Sequence, residues 1–252
     1  MAELEIEGLS LSFGGLRVLD GISLSVEAGE LFALIGPNGA GKTSVFNCIS
    51  GLYRGTGSIR FQGRELTMLA PHAIARLGIA RTFQHGELFP HMSVVETLLT
   101  GRYAHRRSNI VSELLHLPSA RNEEIRQRAE VERIIELTEL ERYRHAEVDG
   151  LPFGLQKLVG FARALAMEPK LLLLDEPSAG LNRDEREDLA RFILRVKHEI
   201  GLAILWIEHD MQMISDLADT IQVLDHGCTL ACGPPAEVLA NPQVVEAYLG
   251  RG

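Results

Sequence analysis

The chain has 252 residues, 46% apolar and 23% charged, and its 34 acidic against 25 basic side chains leave a formal net charge of -9 at pH 7. That length buries a substantial core, no apolar run reaches the roughly 20 residues of a membrane-spanning helix, and the acidic balance argues against holding nucleic acid through its phosphates. Three cysteines, Cys48, Cys228 and Cys232, cannot all pair and show no zinc-like His/Cys spacing, so they read as reduced structural thiols.

The acidic start MAELEIEGLS lacks the basic stretch and apolar run of a secretory leader, which predicts a cytoplasmic protein. Leu4 to Gly8 and Leu16 to Val26 alternate as strands of a half-exposed antiparallel sheet do. The continuous apolar runs LFALIG from Leu31, KLLLLD from Lys170, LAILWI from Leu202 and TIQVLD from Thr220 alternate with helical patterns. They predict a mostly parallel sheet covered on both faces. From about Val94 to Glu147 no strand pattern occurs. There NEEIRQRAEVERIIELTEL, from Asn122, predicts a helix with an apolar stripe of Ile125, Val131, Ile134, Ile135 and Leu137 against a solvated Glu/Arg face. After Asp225, Gly227 and Gly233 with Pro234 and Pro235 mark a hairpin, followed by two short helices. The expected organisation is an α/β core over 1–90 and 160–252, with a helical subdomain over 91–159.

GPNGAGKTS, Gly36 to Ser44, follows an apolar strand and opens a helix, the setting of a phosphate-binding loop. Asn38, Gly39 and Gly41 present backbone N–H groups to phosphate oxygens at a helix amino end. Lys42 neutralises the β- and γ-phosphates, and the Thr43 hydroxyl, with Ser44 beside it, takes a magnesium position. LLLLDEP ends a strand on two acids that alternation separates: Asp175 to hold magnesium, Glu176 to orient or deprotonate water. His209 in WIEHD follows another buried strand at the same carboxyl edge, placed to bond the γ-phosphate or the water beside it. Gln84 in ARTFQHGELFP ends a short strand before the helical segment, and its carboxamide can ligate magnesium or position water. LPFGLQK, Leu151 to Lys157, precedes a long apolar helix, and Gly154 introduces amide groups able to face an anion.

Together these segments resemble the ATPase subunit of an ABC transporter over essentially the whole chain. GPNGAGKTS resembles the Walker A motif, LLLLDEP the Walker B motif with its following glutamate, Gln84 the Q-loop, SAGLN with Asn182 the D-loop, and His209 the switch histidine. The resemblance implies an ATP hydrolase that uses ATP and magnesium. Its fold would be a P-loop NTPase core of RecA-like type with an N-terminal antiparallel β subdomain and an inserted α-helical subdomain, one ABC ATPase domain over 1–252. It implies that Phe13 stacks on adenine with Val18 packing nearby.

The same resemblance puts LPFGLQK at the signature loop that closes over ATP held by the opposite subunit, with Leu151, Gly154 and Gln156 as its contact residues. Pro152 and Phe153 resemble the branched-chain subfamily, which often reads LPYGQQ; Leu155 departs even from that. ARTFQ, LLHLPSARNEEIRQRA, WIEHDMQMISDLAD and NPQVVEAYLG narrow the likeness to the subfamily serving branched-chain amino acids and related hydrophobic solutes. This narrower likeness implies an importer subunit, peripheral on the cytoplasmic face of the membrane. Its partners would be a second ABC ATPase subunit (a heterodimer, or a homodimer), transmembrane permease subunits and a periplasmic or extracellular solute-binding protein, with no nucleic acid. An exporter ATPase of lipopolysaccharide type and a soluble, non-transport ABC ATPase are the rival readings. The altered signature predicts a weakened clamp and two unequal ATP sites.

Overall fold

The computed structural model describes residues 2–82, 88–105 and 118–249. In chain order they form β1 (Ala2–Phe13), β2 (Leu16–Glu27), β3 (Leu31–Ile35), α1 (Lys42–Ile49), β4 (Thr56–Phe61), β5 (Arg64–Glu65), α2 (Pro71–Arg76) and β6 (Ile79–Arg81). Next come α3 (Val94–Gly101), α4 (Pro118–Leu137), α5 (Phe153–Leu165), β7 (Leu171–Asp175) and α6 (Arg183–Ile200). The chain continues through β8 (Ala203–Ile207), α7 (Met211–Leu217), β9 (Thr220–Asp225), β10 (Cys228–Gly233), α8 (Pro235–Leu239) and α9 (Pro242–Leu249). It divides into two compact units, 1–84 with 170–179 and 193–252, and 85–169 with 180–192.

The first unit holds both sheets. One is antiparallel, in the order β2-β1-β4-β5; the other has the order β10-β9-β3-β8-β7-β6 and is parallel except for β10. The apolar runs are continuous because both faces of the second sheet are covered. In β3, Phe32 and Leu34 join the core shared with β1, β2, β4 and α1, while Ala33 and Ile35 join a cluster with Ile214, Val223 and Val244. Burying Phe32, Phe46 and Phe61, each at most 2% exposed, stabilises the unit by about 1.5–3 kcal/mol per side chain. The β9–β10 hairpin and the two closing helices fall where Gly227, Gly233 and the proline pair predict. Cys48 is buried, but Cys228 and Cys232 are exposed on β10, so the structural reading holds for Cys48 alone.

The second unit is helical among its described residues. Ser93 and Glu96 close a capping box at the start of α3, which packs on α4 and α5. Along α4, Val131, Ile134 and Ile135 are buried as expected, but Ile125 is 58% exposed and Gln127 is 5% exposed. Position 127 lies one turn before 131 on the same face, whereas 125 is rotated roughly 120° away. Gln127 is tolerated inside because Arg102 Nε donates to its Oε1 at 2.6 Å. The boundary expected at 159/160 falls inside α5, a continuous helix that belongs wholly to this unit, and residues 180–192 join it too.

Candidate active site

The order β3-β8-β7 sets the carboxyl ends of three strands side by side, and each is followed by a segment singled out from the sequence. After β3 the loop 36–41 turns into α1. Gly36 and Gly41 have φ of +146° and +104°, and an added Cβ would come 2.1 Å from the Leu224 carbonyl oxygen at Gly36 and 2.6 Å from Leu19 Cδ2 at Gly41. Backbone angle and packing together exclude a side chain at both positions. Lys42, 6% exposed, donates from Nζ to the carbonyl oxygens of Gly36 at 2.6 Å and Pro37 at 3.1 Å. Burial lowers its pKa, and the charges of Glu176 and Asp175 partly offset this. The first amides of α1 have no acceptor within the helix, and Asn38, Gly39 and Thr43 are exposed beside them, with Ser44 half-buried.

At the end of β7, Asp175 is buried and ion-paired: Arg81 Nη2 lies 2.7 Å from its Oδ2. Its other oxygen, Oδ1, is buried and has no hydrogen-bond partner among the described residues. Burial raises the Asp175 pKa, while the hydrogen bond and charge of Arg81 pull it down. The next residue, Glu176, adopts φ +48°, a left-handed backbone that costs a non-glycine residue about 1–2 kcal/mol. It is held there by its N–H donating to Ile207 O at 2.9 Å, and its Oε1 lies 2.8 Å from His209 Nε2, after β8. The two acids thus diverge, one to a buried arginine and one to the histidine.

Arg81 and Glu208 are functional candidates that sequence patterns did not reveal. Arg81 ends the three-residue strand β6, in the segment expected as a short strand, where nothing local marks its charge as buried. Glu208 precedes His209 and is 3% exposed; a charge directly after an unbroken apolar strand was the available signal. Phe13 is 47% exposed and meets the Tyr53 ring edge-on at 5.0 Å between centroids, a partner that nothing in the sequence suggested. Val18 is half-buried, and its carbonyl oxygen lies 3.0 Å from where a Gly41 Cβ would stand, which brings it beside the phosphate loop. Gln84 lies outside the described residues.

The second unit carries the remaining predicted residues. Pro152 is the N-cap of α5, so the helix begins at Phe153 with Gly154 in its first turn. Gln156 donates from Nε2 to Leu151 O at 2.8 Å, an internal bond that locks the loop onto the helix. Glu185 crowds Gly154, whose absent Cβ would lie 2.3 Å from Glu185 Oε1, and the exposed Phe153 ring packs where a Gly180 side chain would stand. Asn182 caps α6: its Oδ1 accepts from Glu185 N at 3.0 Å and its own N–H donates to Glu185 Oε2 at 2.9 Å. Leu155 lines an open cavity of about 160 Å³ with Leu158, Leu181, Leu189 and Phe192. Thr138, Lys157, Glu185 and Asp188 line it as well, so the leucine meets a mixed wall.

Residues 19–179 match the ABC transporter family, and 228–252 match the branched-chain amino acid ATP-binding cassette transporter family. The chain is 40% identical over 248 residues to the high-affinity branched-chain amino acid transport ATP-binding protein BraF of Pseudomonas aeruginosa, covering 98% of this chain and 97% of BraF. It is 38% identical over 248 residues to LivG of Escherichia coli, a protein of the same description, covering 98% and 97%. Among solved structures, an ATP-binding cassette of an ABC transporter in its ADP conformation superposes with a TM-score of 0.87 at 31% identity, and a nucleotide-free cassette with 0.86 at 30%, both over 100% of each chain. The chain belongs to the ABC transporter family, as one of its ATP-binding, ATP-hydrolysing cassettes.

Proposed function

We propose that this cassette drives uptake of branched-chain or related hydrophobic amino acids, as a peripheral subunit on the cytoplasmic face of the membrane. The observation that carries the reading is end-to-end similarity to BraF, joined to the 228–252 match with the branched-chain transporter family. No helix among the described residues is long and apolar enough to cross a membrane, so passage of the solute falls to transmembrane permease subunits. A second ATPase subunit and an external solute-binding protein complete the complex. Deleting the gene should abolish uptake of labelled leucine, isoleucine or valine and restoring it should recover uptake; unchanged uptake of all three would refute the solute assignment.

Within the cassette, Phe13 and Val18 face adenine, and Asn38, Gly39, Gly41, Lys42 and Ser44 hold the phosphates. Thr43, Asp175 and Gln84 would hold magnesium, which when bound neutralises phosphate charge as a Lewis acid. Asp175 Oδ1, buried and without a hydrogen-bond partner among the described residues, suits that role. Glu176 orients or deprotonates the attacking water. His209, 2.8 Å from Glu176, fixes that carboxylate and reaches toward the γ-phosphate. Leu151, Gly154 and Gln156 of the signature loop and Asn182 of the D-loop face the partner subunit, where the replacements Pro152, Phe153 and Leu155 weaken the signature loop's hold on one ATP site relative to the other. Glu176→Gln should stop hydrolysis and trap an ATP-bound dimer; full turnover by that variant would defeat the assignment.

A further inference from the structure

Glu208 has a carboxylate where the fold gives it no solvent. It is 3% exposed at the end of β8, between Ile207, which is fully buried, and His209. A charge so placed is tolerated only if its oxygens are satisfied, and here both are. Oε1 accepts from Ser178 Oγ at 2.7 Å and from the His209 backbone N–H at 3.1 Å. Oε2 accepts from the Ser178 backbone N–H at 3.3 Å and from Trp206 Nε1 at 3.3 Å. Both oxygens act as acceptors, the role of a carboxylate rather than an amide.

These donors come from two segments. Ser178 lies two residues beyond Glu176 on the loop after β7, whereas Trp206 and His209 belong to β8 and the turn that leaves it. Glu208 therefore ties the loop of one reacting side chain to the backbone of the other. The Glu176 N–H bond to Ile207 O at 2.9 Å stitches the same two segments. With its oxygens occupied by internal donors, Glu208 has no face to offer water or phosphate.

We infer that Glu208 is a positioning residue for hydrolysis: through Ser178 and the His209 backbone it preforms the 2.8 Å Glu176–His209 pair. The inference rests on the reading of Glu176 and His209 as the hydrolytic residues. It separates Glu208 from the groups that bind nucleotide, and so predicts a defect in kcat with little change in KM.

The test uses the full chain assayed within its transporter complex. Glu208→Gln keeps the shape but turns an NH2 group against donors, and Ser178→Ala removes one donor while leaving the carboxylate in place. Glu208→Gln should lower kcat for MgATP on the order of 10- to 100-fold, the scale of a displacement of about 1 Å at a reacting group, with KM near the wild-type value. Ser178→Ala should give a smaller fall of the same kind. In a His209→Ala background neither change should slow turnover further, because what Glu208 preforms is the Glu176–His209 contact, which that background lacks.

Wild-type kcat in Glu208→Gln, a rise in KM at unchanged kcat, or losses that multiply fully with His209→Ala would overturn the proposal. If thermal unfolding shows that Glu208→Gln does not fold, the Ser178→Ala and His209→Ala cycle decides by the same criteria. Glu176→Gln serves as the control. Turnover by Glu176→Gln defeats the underlying assignment of the hydrolytic residues, whereas an inactive Glu176→Gln beside a wild-type-like Glu208→Gln defeats only the positioning role.

Discussion

Arg81 and Asp175 form an ion pair of 2.7 Å in which the two side chains are only 9% and 2% exposed. The guanidinium also donates from Nη1 to Asn47 Oδ1 at 2.7 Å and lies 5.5 Å over the Phe46 ring, so it joins β6, β7 and α1. Removing it leaves a buried carboxylate without its countercharge. Arg81→Met should lower stability by about 3–5 kcal/mol in urea unfolding. An unfolding midpoint equal to that of the wild type would show that the pair contributes nothing.

Gly41 is closed to any side chain by its φ of +104° and by Leu19 Cδ2 and the Val18 carbonyl oxygen, 2.6 and 3.0 Å from its missing Cβ. Gly41→Ala must move either the phosphate loop or β2. A nucleotide titration should show at least a tenfold loss of ATP affinity, about 1.4 kcal/mol, together with a lower melting temperature. Retained affinity would mean that the loop tolerates displacement.

Leu155 is the position at which a signature glutamine could be restored. Its side chain is half-buried beside Leu158, Leu189 and Phe192, in an open cavity that Thr138, Lys157, Glu185 and Asp188 also line. Leu155→Gln should raise ATP turnover at the site this loop closes, while losing apolar contacts at a cost of about 1 kcal/mol of stability. Unchanged hydrolysis by this variant would show that Leu155 does not weaken the clamp.

Glu65 supplies a pH test remote from the site. Burial alone would raise its carboxyl, but hydrogen bonds from Ser58 and Thr67 side chains and from the Ile59 and Thr67 backbones hold it at about 2, against 4.5 for the free group. A depressed carboxyl favours folding above about 4.5, and the contribution fades as pH falls toward about 2. The melting temperature of Glu65→Gln should lie below that of the wild type at pH 6, with the gap closing as pH drops through that window. A gap independent of pH would assign the effect to packing.

The family, the strand runs, the phosphate loop, the acids at Asp175 and Glu176 and the histidine at His209 were all legible in the amino-acid order. These are local signals: an unbroken apolar run, glycines where only glycine fits, and charges at the carboxyl ends of strands. Pairing was not legible. Apolar runs carry no record of their neighbours, so only the sheet order β3-β8-β7 decided that His209 would meet Glu176. Gln127 rather than Ile125 is buried because helix phase and the reach of Arg102 outweigh hydrophobicity. Arg81 and Glu208 went unread for the same reason: a buried charge is tolerable only beside its partner, and the partners of these two, Asp175 and Ser178, lie far along the chain.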